Sequence, residues 1–241
     1  MIMIKTIMPV SLGILNLENY YPGLRDNSLN ILYGKPGSGK TIIGLQFLID
    51  GALKGEEVLY VSLDESAYEV KKDFENMQWN LDIINVIDAV PSSKKKEIAP
   101  YREVTQVTDV IRMRDVKMKG TGREIDIFNL RSTIKNIMEK NKFTRVVIDS
   151  LTSLKLFYTT GVDPEEAALA FVDFFRYIEN STVLFIAEDF DDLNTIMRMM
   201  DSVLRLDKDE NDYTLEIVKS SYILKKTNIS LVLKNNGFAV E

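Results

Sequence analysis

Eight consecutive residues, Gly34-Lys35-Pro36-Gly37-Ser38-Gly39-Lys40-Thr41, match the pattern G-x-x-x-x-G-K-S/T and restrict the chain to folds that can hold a phosphate-cradling loop. Each residue type has a physical reason to stand where it does. The glycines let successive backbone N–H groups converge on phosphate oxygens, Lys40 supplies a point charge to the β- and γ-oxygens, and the Thr41 hydroxyl ligates Mg²⁺. At ordinary residue frequencies a chain of this length shows the pattern by chance about 1% of the time. The loop works only between a strand and a helix, and both flanks comply. Residues 28–33 form a short apolar run of strand type, and residues 41–54 carry Ile42, Leu45, Leu48, Ile49 and Ala52 at helical spacing before Gly55 stops them. A helix opening at Thr41 points its dipole and free N–H groups at an anion. The expectation is a nucleoside triphosphate site made by Gly34, Pro36, Gly37, Ser38, Gly39, Lys40, Thr41 and Ile42.

Strands and helices then alternate along the chain. Residues 57–63 read as a second buried strand, and Ser66 with Glu69 makes a capping box for a helix running to about Met77. Residues 83–87 give a third strand. Ile111, Met113, Val116 and Met118 alternate with charges as a surface hairpin would, and residues 127–140 repeat apolar side chains at helical spacing. Residues 144–149 form a core strand ending in a carboxylate. Asp163, Pro164, Glu165 and Glu166 supply a cap, a first-turn proline and first-turn acids for a helix to about Asn180, and residues 182–187 make a further core strand. Such alternation predicts an α/β fold with a mostly parallel, doubly wound sheet and helices on both faces. Segments 202–206, 213–219, 230–233 and 237–240, separated by polar turns, predict a C-terminal antiparallel extension. Nothing across the 241 residues resembles a linker, so one domain spanning 1–241 is expected.

Composition narrows the chemistry. The chain has no cysteine and no histidine, which removes disulfides, thiolate metal sites, cysteine nucleophiles and the commonest general base. Carboxylates, Lys, Arg and Mg²⁺ are what remains. A net charge of −6 argues against wholesale nucleic-acid binding. Segment 94–123 departs from this balance with nine basic and four acidic residues, and reads either as a solvated excursion or as a partner or nucleic-acid surface. No stretch approaches the roughly 20 apolar residues of a membrane span, and the first five residues are too brief for the apolar region of a signal peptide. A cytoplasmic location is expected.

A triphosphate loop needs a second acid to hold the water shell of Mg²⁺. Asp149 qualifies, because it closes the β-branched run Val146-Val147-Ile148 at the strand end where ligands bind in open α/β sheets. Its plainer alternative is a cap for the turn before Ser150. Glu188 ends a later strand and reads either as a sensor of the γ-phosphate or as a strand-end residue. Hydrolysis also requires a group that orients or deprotonates water. Asp64 and Glu65 are the candidate pair, following a strand expected to lie near that of the phosphate loop; the alternative for Glu65 is a solvent-facing residue before the Ser66 cap.

Taken together, these segments resemble the RecA superfamily, and within it the KaiC-like and RadA-paralogue ATPases of archaeal type. The likeness covers nearly the whole chain. It rests on the phosphate loop with Thr41-Ile42-Ile43-Gly44-Leu45-Gln46-Phe47-Leu48, on Tyr60-Val61-Ser62-Leu63-Asp64-Glu65-Ser66, on Trp79, on residues 146–154, and on Asp201-Ser202-Val203-Leu204-Arg205-Leu206. The resemblance implies ATP with Mg²⁺ as ligands, Glu65 as the water-activating glutamate with Asp64 beside it, and a homo-oligomer such as a hexamer.

Two departures modify that implication. Where the family carries K-M-R-G, whose cations reach a neighbour's γ-phosphate, this chain has Lys219-Ser220-Ser221-Tyr222. Lys219 is kept and Ser221 takes the Arg position; Lys225 and Lys226 are nearby cations whose plainer reading is a solvated strand end. An arginine finger is typically worth about 10³ to 10⁵ in turnover, so slow hydrolysis is expected. The loop after Glu188 is short and acidic where DNA-handling relatives carry a long glycine-rich one, which makes DNA an unpromising partner. The leading expectation is a slow ATPase whose nucleotide state switches assembly or the binding of an unidentified protein. The rivals are a nucleotide-binding scaffold that scarcely turns over and an accessory recombination protein.

Overall fold

The computed structural model describes residues 9–90, 111–112, 127–157, 163–189, 193–223 and 225–241. In chain order the elements are β1 (Leu29–Gly34), α1 (Lys40–Leu53), β2 (Val58–Ser62), α2 (Ala67–Asp73), β3 (Asn85–Asp88), β4 (Ile111–Arg112), α3 (Ile127–Lys140), β5 (Arg145–Asp149), α4 (Pro164–Phe175), β6 (Thr182–Glu188), α5 (Leu193–Met199), β7 (Ser202–Asp209), β8 (Asp212–Lys219), β9 (Thr227–Lys234) and β10 (Gly237–Val240). The described strands form one sheet in the order β10-β9-β8-β7-β1-β6-β5-β2-β3-β4. The run from β7 to β3 is parallel throughout, while β4 at one edge and β8, β9 and β10 at the other pair antiparallel. The chain is thus an α/β protein with a mostly parallel sheet and a C-terminal antiparallel extension.

Parallel strands are buried on both faces, and the two-residue period of each strand divides its side chains between two cores. Ile31, Leu59, Val61, Val146, Ile148, Val183 and Phe185 turn to one face, where Leu130 and Ile134 of α3, Phe171 and Phe175 of α4 and Ile196 of α5 cover them. Leu32, Tyr60, Val147, Leu184 and Ile186 turn to the other, where Ile43, Phe47 and Leu48 of α1 pack. Glycines permit the close approach of α1: a Cβ on Gly44 would lie 2.8 Å from Ile186 Cδ1.

Helix α3 and strand β10 have the bounds predicted from sequence. Helix α2 stops at Asp73 instead of Met77, because Phe74 and Trp79 pack together, ring centroids 6.0 Å apart, and the Trp79 indole N–H donates to Asn236 O at 3.0 Å. These tertiary contacts draw the chain out of the helix. Helix α4 ends at Phe175, with Arg176 as its C-cap, short of the expected Asn180. Strand β7, expected to begin the antiparallel extension, instead pairs parallel with β1, so the extension starts at β8. Helix α5, seven residues long, is an element that the apolar spacing of the sequence does not predict. The expected hairpin around residues 111–118 has β4 paired antiparallel with β3 as its described part, and the rest of segment 94–123 lies outside the described residues. Among the described residues no helix is long and apolar enough to cross a membrane.

Candidate nucleotide-binding site

The phosphate loop leaves β1 at Gly34 and enters α1 at Lys40. Lys35, Pro36 and Gly37 are exposed, whereas Ser38 and Lys40 are buried. Gly37 and Gly39 adopt φ of +73° and +95°, in the left-handed region that glycine enters without cost. With Gly39 at its N-cap, α1 has no side-chain cap, so its first N–H groups remain available to an anion. The contrast with α2 and α4 is instructive. Ser66 and Glu69 close a reciprocal capping box on α2, and Asp163 accepts from Glu165 and Glu166 N–H on α4. Within the loop the Ser38 hydroxyl oxygen is buried and unpartnered among the described residues. A buried hydroxyl in that state fits a loop that receives a polar ligand.

Lys40 Nζ donates to the carbonyl oxygens of Gly34 at 3.0 Å and Lys35 at 2.7 Å. Burial lowers its pKa, while the charges of Glu188 and Asp149 favour its ammonium form. Glu188 stands in register with Gly34 on the adjacent strand β6, and Asp189 N–H donates to Gly34 O at 3.3 Å. Thr152 Oγ1 accepts the Glu188 N–H at 2.8 Å and fixes that strand end.

Asp149 ends β5, one strand beyond β6, yet its carboxylate reaches the loop: Thr41 Oγ1 donates to Asp149 Oδ2 at 2.8 Å. Alternation explains the encounter, since Val147 and Asp149 share the face that α1 covers. Tyr60 on β2 donates its hydroxyl to the same Oδ2 at 2.9 Å. Burial raises the Asp149 pKa, and the hydrogen bonds from Thr41 and Tyr60 and the charge of Lys40 oppose that rise. Tyr60 is fully buried, and burial with the adjacent Asp149 charge holds its hydroxyl protonated. Thr41 and Asp149 offer the hard oxygen donors that suit Mg²⁺. Among the described residues no three His, Cys, Asp or Glu side chains gather into a metal cage. That pattern fits a cation which takes most of its shell from phosphates and water.

Strand β2, expected near β1, is separated from it by β6 and β5. Asp64 and Glu65 nonetheless arrive at the same end of the sheet, because β2 pairs in parallel register with β5, Ser62 opposite Asp149. Leu63 N–H donates to Asp149 O at 2.7 Å, and the Ser62 hydroxyl bonds the Glu65 carbonyl, which pins the turn. Partial burial raises the Glu65 pKa, helped by repulsion from Asp73, Asp149 and Glu69. The sheet therefore gathers Lys40, Thr41, Asp149, Glu188 and Glu65 at one end.

Lys219 is elsewhere. It ends β8 opposite Val203, itself aligned with Ile31, and so lies toward the end of the sheet away from the loop. Its ammonium donates to the carbonyl oxygens of Arg198 and Met200 at the end of α5. Any role for Lys219 at a phosphate requires a second copy of the chain. Tyr60, Thr152 and Gln46 lie in the segments that carry the resemblance, but the sequence assigns none of them a role; the Gln46 side chain binds both the N–H and the carbonyl of Phe238. The signal for Tyr60 was available as a lone hydroxyl within the apolar run Val58-Leu59-Tyr60-Val61.

A family model described as the ATPase KaiC matches residues 10–234. Among curated relatives, the UPF0273 protein of Thermotoga maritima is 33% identical over 138 residues, covering 57% of this chain and 52% of that protein, so the match spans about half of its length. A UPF0273 protein of Saccharolobus solfataricus is 26% identical over 240 residues, covering 93% of this chain and 79% of that protein. The crystal structure of the KaiC-like protein PH0186 from the hyperthermophilic archaeon Pyrococcus horikoshii shares the fold, with a TM-score of 0.73 over 98% of this chain and 99% of that one at 19% identity. With its phosphate loop between β1 and α1 and a family match over nearly its whole length, the chain belongs to the KaiC family of ATPases.

Proposed function

We propose that this chain is a slow, Mg²⁺-dependent ATPase whose nucleotide state switches its assembly or its binding to a protein partner. The observation that carries the reading is the hydrogen bond from Thr41 to Asp149. It joins the phosphate loop to a strand-end carboxylate across an intervening strand, as a metal–triphosphate site requires.

In this reading the loop N–H groups and Lys40 hold the triphosphate, Lys40 exchanging its carbonyl partners for β- and γ-oxygens. Thr41 and, through water, Asp149 hold the cation. Bound Mg²⁺ supplies neutralisation of the charge that develops on the phosphate oxygens. Glu65 orients a water and accepts its proton as the oxygen attacks the γ-phosphorus; the bond to the β-phosphate oxygen breaks, giving ADP and phosphate. Its raised pKa brings it toward the range in which a general base works. Asp64 stands beside it, and Glu188 senses the γ-phosphate. Lys219 acts on the site of a neighbouring copy, with Ser221 leaving that contribution incomplete.

The test is ADP formation by wild type, Glu65→Gln and Asp149→Asn across a range of protein concentrations, with oligomer mass measured with and without ATP and Mg²⁺. The reading expects slow turnover that rises with protein concentration, is lost in both variants, and accompanies a nucleotide-dependent mass change. Equal rates for wild type and Glu65→Gln would overturn the role of Glu65. A second reading, a scaffold that binds nucleotide without hydrolysis, is motivated by Ser221 in the arginine position; absence of ADP under single-turnover conditions would select it.

A further inference from the structure

Tyr60 is a buried, chemically capable group that the proposed hydrolysis does not use. The two-residue period of β2 turns Val58, Tyr60 and Ser62 toward α1, and Tyr60 is 1% exposed opposite Val147 of β5. Phenylalanine would fill the same space without the requirement that a buried hydroxyl find a partner. The partner found here is Asp149 Oδ2, at 2.9 Å, and Thr41 donates to that same oxygen at 2.8 Å.

From this convergence the geometry points to Tyr60 as a positioning residue for the divalent cation, an inference that rests on the reading of Thr41 and Asp149 as its holders. Both hydroxyl protons go to one carboxylate oxygen. Among the described residues Oδ1 is then the acceptor left open for a metal-bound water. A threonine hydroxyl has a single proton and two lone pairs, so donation to Asp149 also leaves the Thr41 oxygen free to act as a ligand. Tyr60 reaches the carboxylate from β2, on the side of β5 away from β6 and β1, and so does not use the loop to hold it. Outer partners of this kind typically contribute about 10- to 100-fold to metal affinity.

The experiment uses the intact chain and Mn²⁺ as a paramagnetic probe. Free Mn²⁺ is followed during titration into protein saturated with ADP, and ADP affinity is measured separately in EDTA. Tyr60→Phe is expected to weaken Mn²⁺ binding about tenfold or more, with ADP affinity in EDTA within about twofold of wild type. In an Asp149→Asn background the same change is expected to add nothing, since the partner is already altered. Unchanged Mn²⁺ affinity in Tyr60→Phe, or equal losses with and without metal, would overturn the inference. So would full additivity with Asp149→Asn, or loss of the cooperative melt in Tyr60→Phe, which would make the hydroxyl structural. A wild type that binds ADP with no response to Mn²⁺ would overturn the metal reading as well, whereas a metal-responsive wild type and an unaffected Tyr60→Phe would overturn the role of Tyr60 alone.

Discussion

Replacing Lys40 by methionine separates what the ammonium does to the fold from what it does for a triphosphate. Lys40 is 7% exposed, and burial lowers its pKa. A lysine pKa below its unfolded value of 10.5 means that the folded chain holds the charge less well than the unfolded one. That cost is fully present below the folded pKa and disappears as pH rises past 10.5. At neutral pH, methionine removes it while keeping the length of the side chain. Neither carbonyl that Lys40 serves is orphaned, because Gly34 O also accepts from Asp189 N–H at 3.3 Å and Lys35 O from Ser38 N–H at 3.2 Å. The nucleotide-free variant is therefore expected to melt at or slightly above the wild-type midpoint, by up to about 1 kcal/mol or ~2–4 °C.

Binding should move the other way. A hydrogen bond to a charged group is worth about 1.5–3 kcal/mol, and ~2 kcal/mol corresponds to an affinity loss of about 30-fold. At an ATP concentration of about 100 times Kd the wild type gains ~2.7 kcal/mol, a rise of roughly 5–10 °C in a chain of this size. At the same concentration Lys40→Met gains ~0.9 kcal/mol, or about 2–4 °C. Thermal melts with and without ATP and Mg²⁺ at fixed salt measure both quantities. A nucleotide-free midpoint lower by more than about 5 °C, or an ATP-induced rise equal to that of wild type, would refute the reasoning.

Glu65→Gln carries an opposite pH signature. Because the Glu65 pKa is raised above its unfolded value of 4.5, stability falls as pH rises from there through the folded pKa, and the cost persists at neutral pH. The variant is expected to melt higher than wild type at pH 7, the gap closing toward pH 4.5, while phosphate release falls by about 10² or more. Gly39→Ala meets two obstacles, φ of +95° and a Cβ placed 2.9 Å from Phe238 Cζ. A loss of about 1–2 kcal/mol from the backbone alone is expected in urea unfolding, and no loss would count against the observed loop geometry.

Local information made the site legible where the residues are contiguous or close an uninterrupted pattern. The phosphate loop is eight adjacent residues, and Asp149 ends a run of three β-branched side chains, so each announces itself. Strand order does not, because it is decided by crossovers that bring distant segments together. Hence the sequence places β2 only near β1, and not the two strands, β6 and β5, that separate them. The seven residues of α5 are too few to show a period, and they are stabilised by burying Leu193 and Ile196. Lys219 illustrates a different limit. The family pattern singles it out for catalysis, but its own chain gives it the carbonyl oxygens at the end of α5, where a cation is favoured in any case.

The C-terminal extension looks from sequence like an appendage to the parallel sheet, yet its last strand supports the phosphate loop. Strand β10 meets α1 where the buried Gln46 amide accepts Phe238 N–H at 2.8 Å and donates to Phe238 O at 3.0 Å. An edge strand that would otherwise present these groups to solvent is closed by a side chain of the helix that follows the loop. The turn before β10 is held from the other side, its Asn235 and Asn236 carbonyls accepting from Gln78 N–H and the Trp79 indole. Pinned at both places, the Phe238 ring stands against Gly39, the residue at which the chain turns into α1. A side chain larger than hydrogen at position 39 would have to displace that ring, so the glycine answers to the hairpin as well as to the phosphate. The antiparallel strands thus set the wall against which the loop is shaped, and a change in the hairpin has a direct path to the phosphate loop.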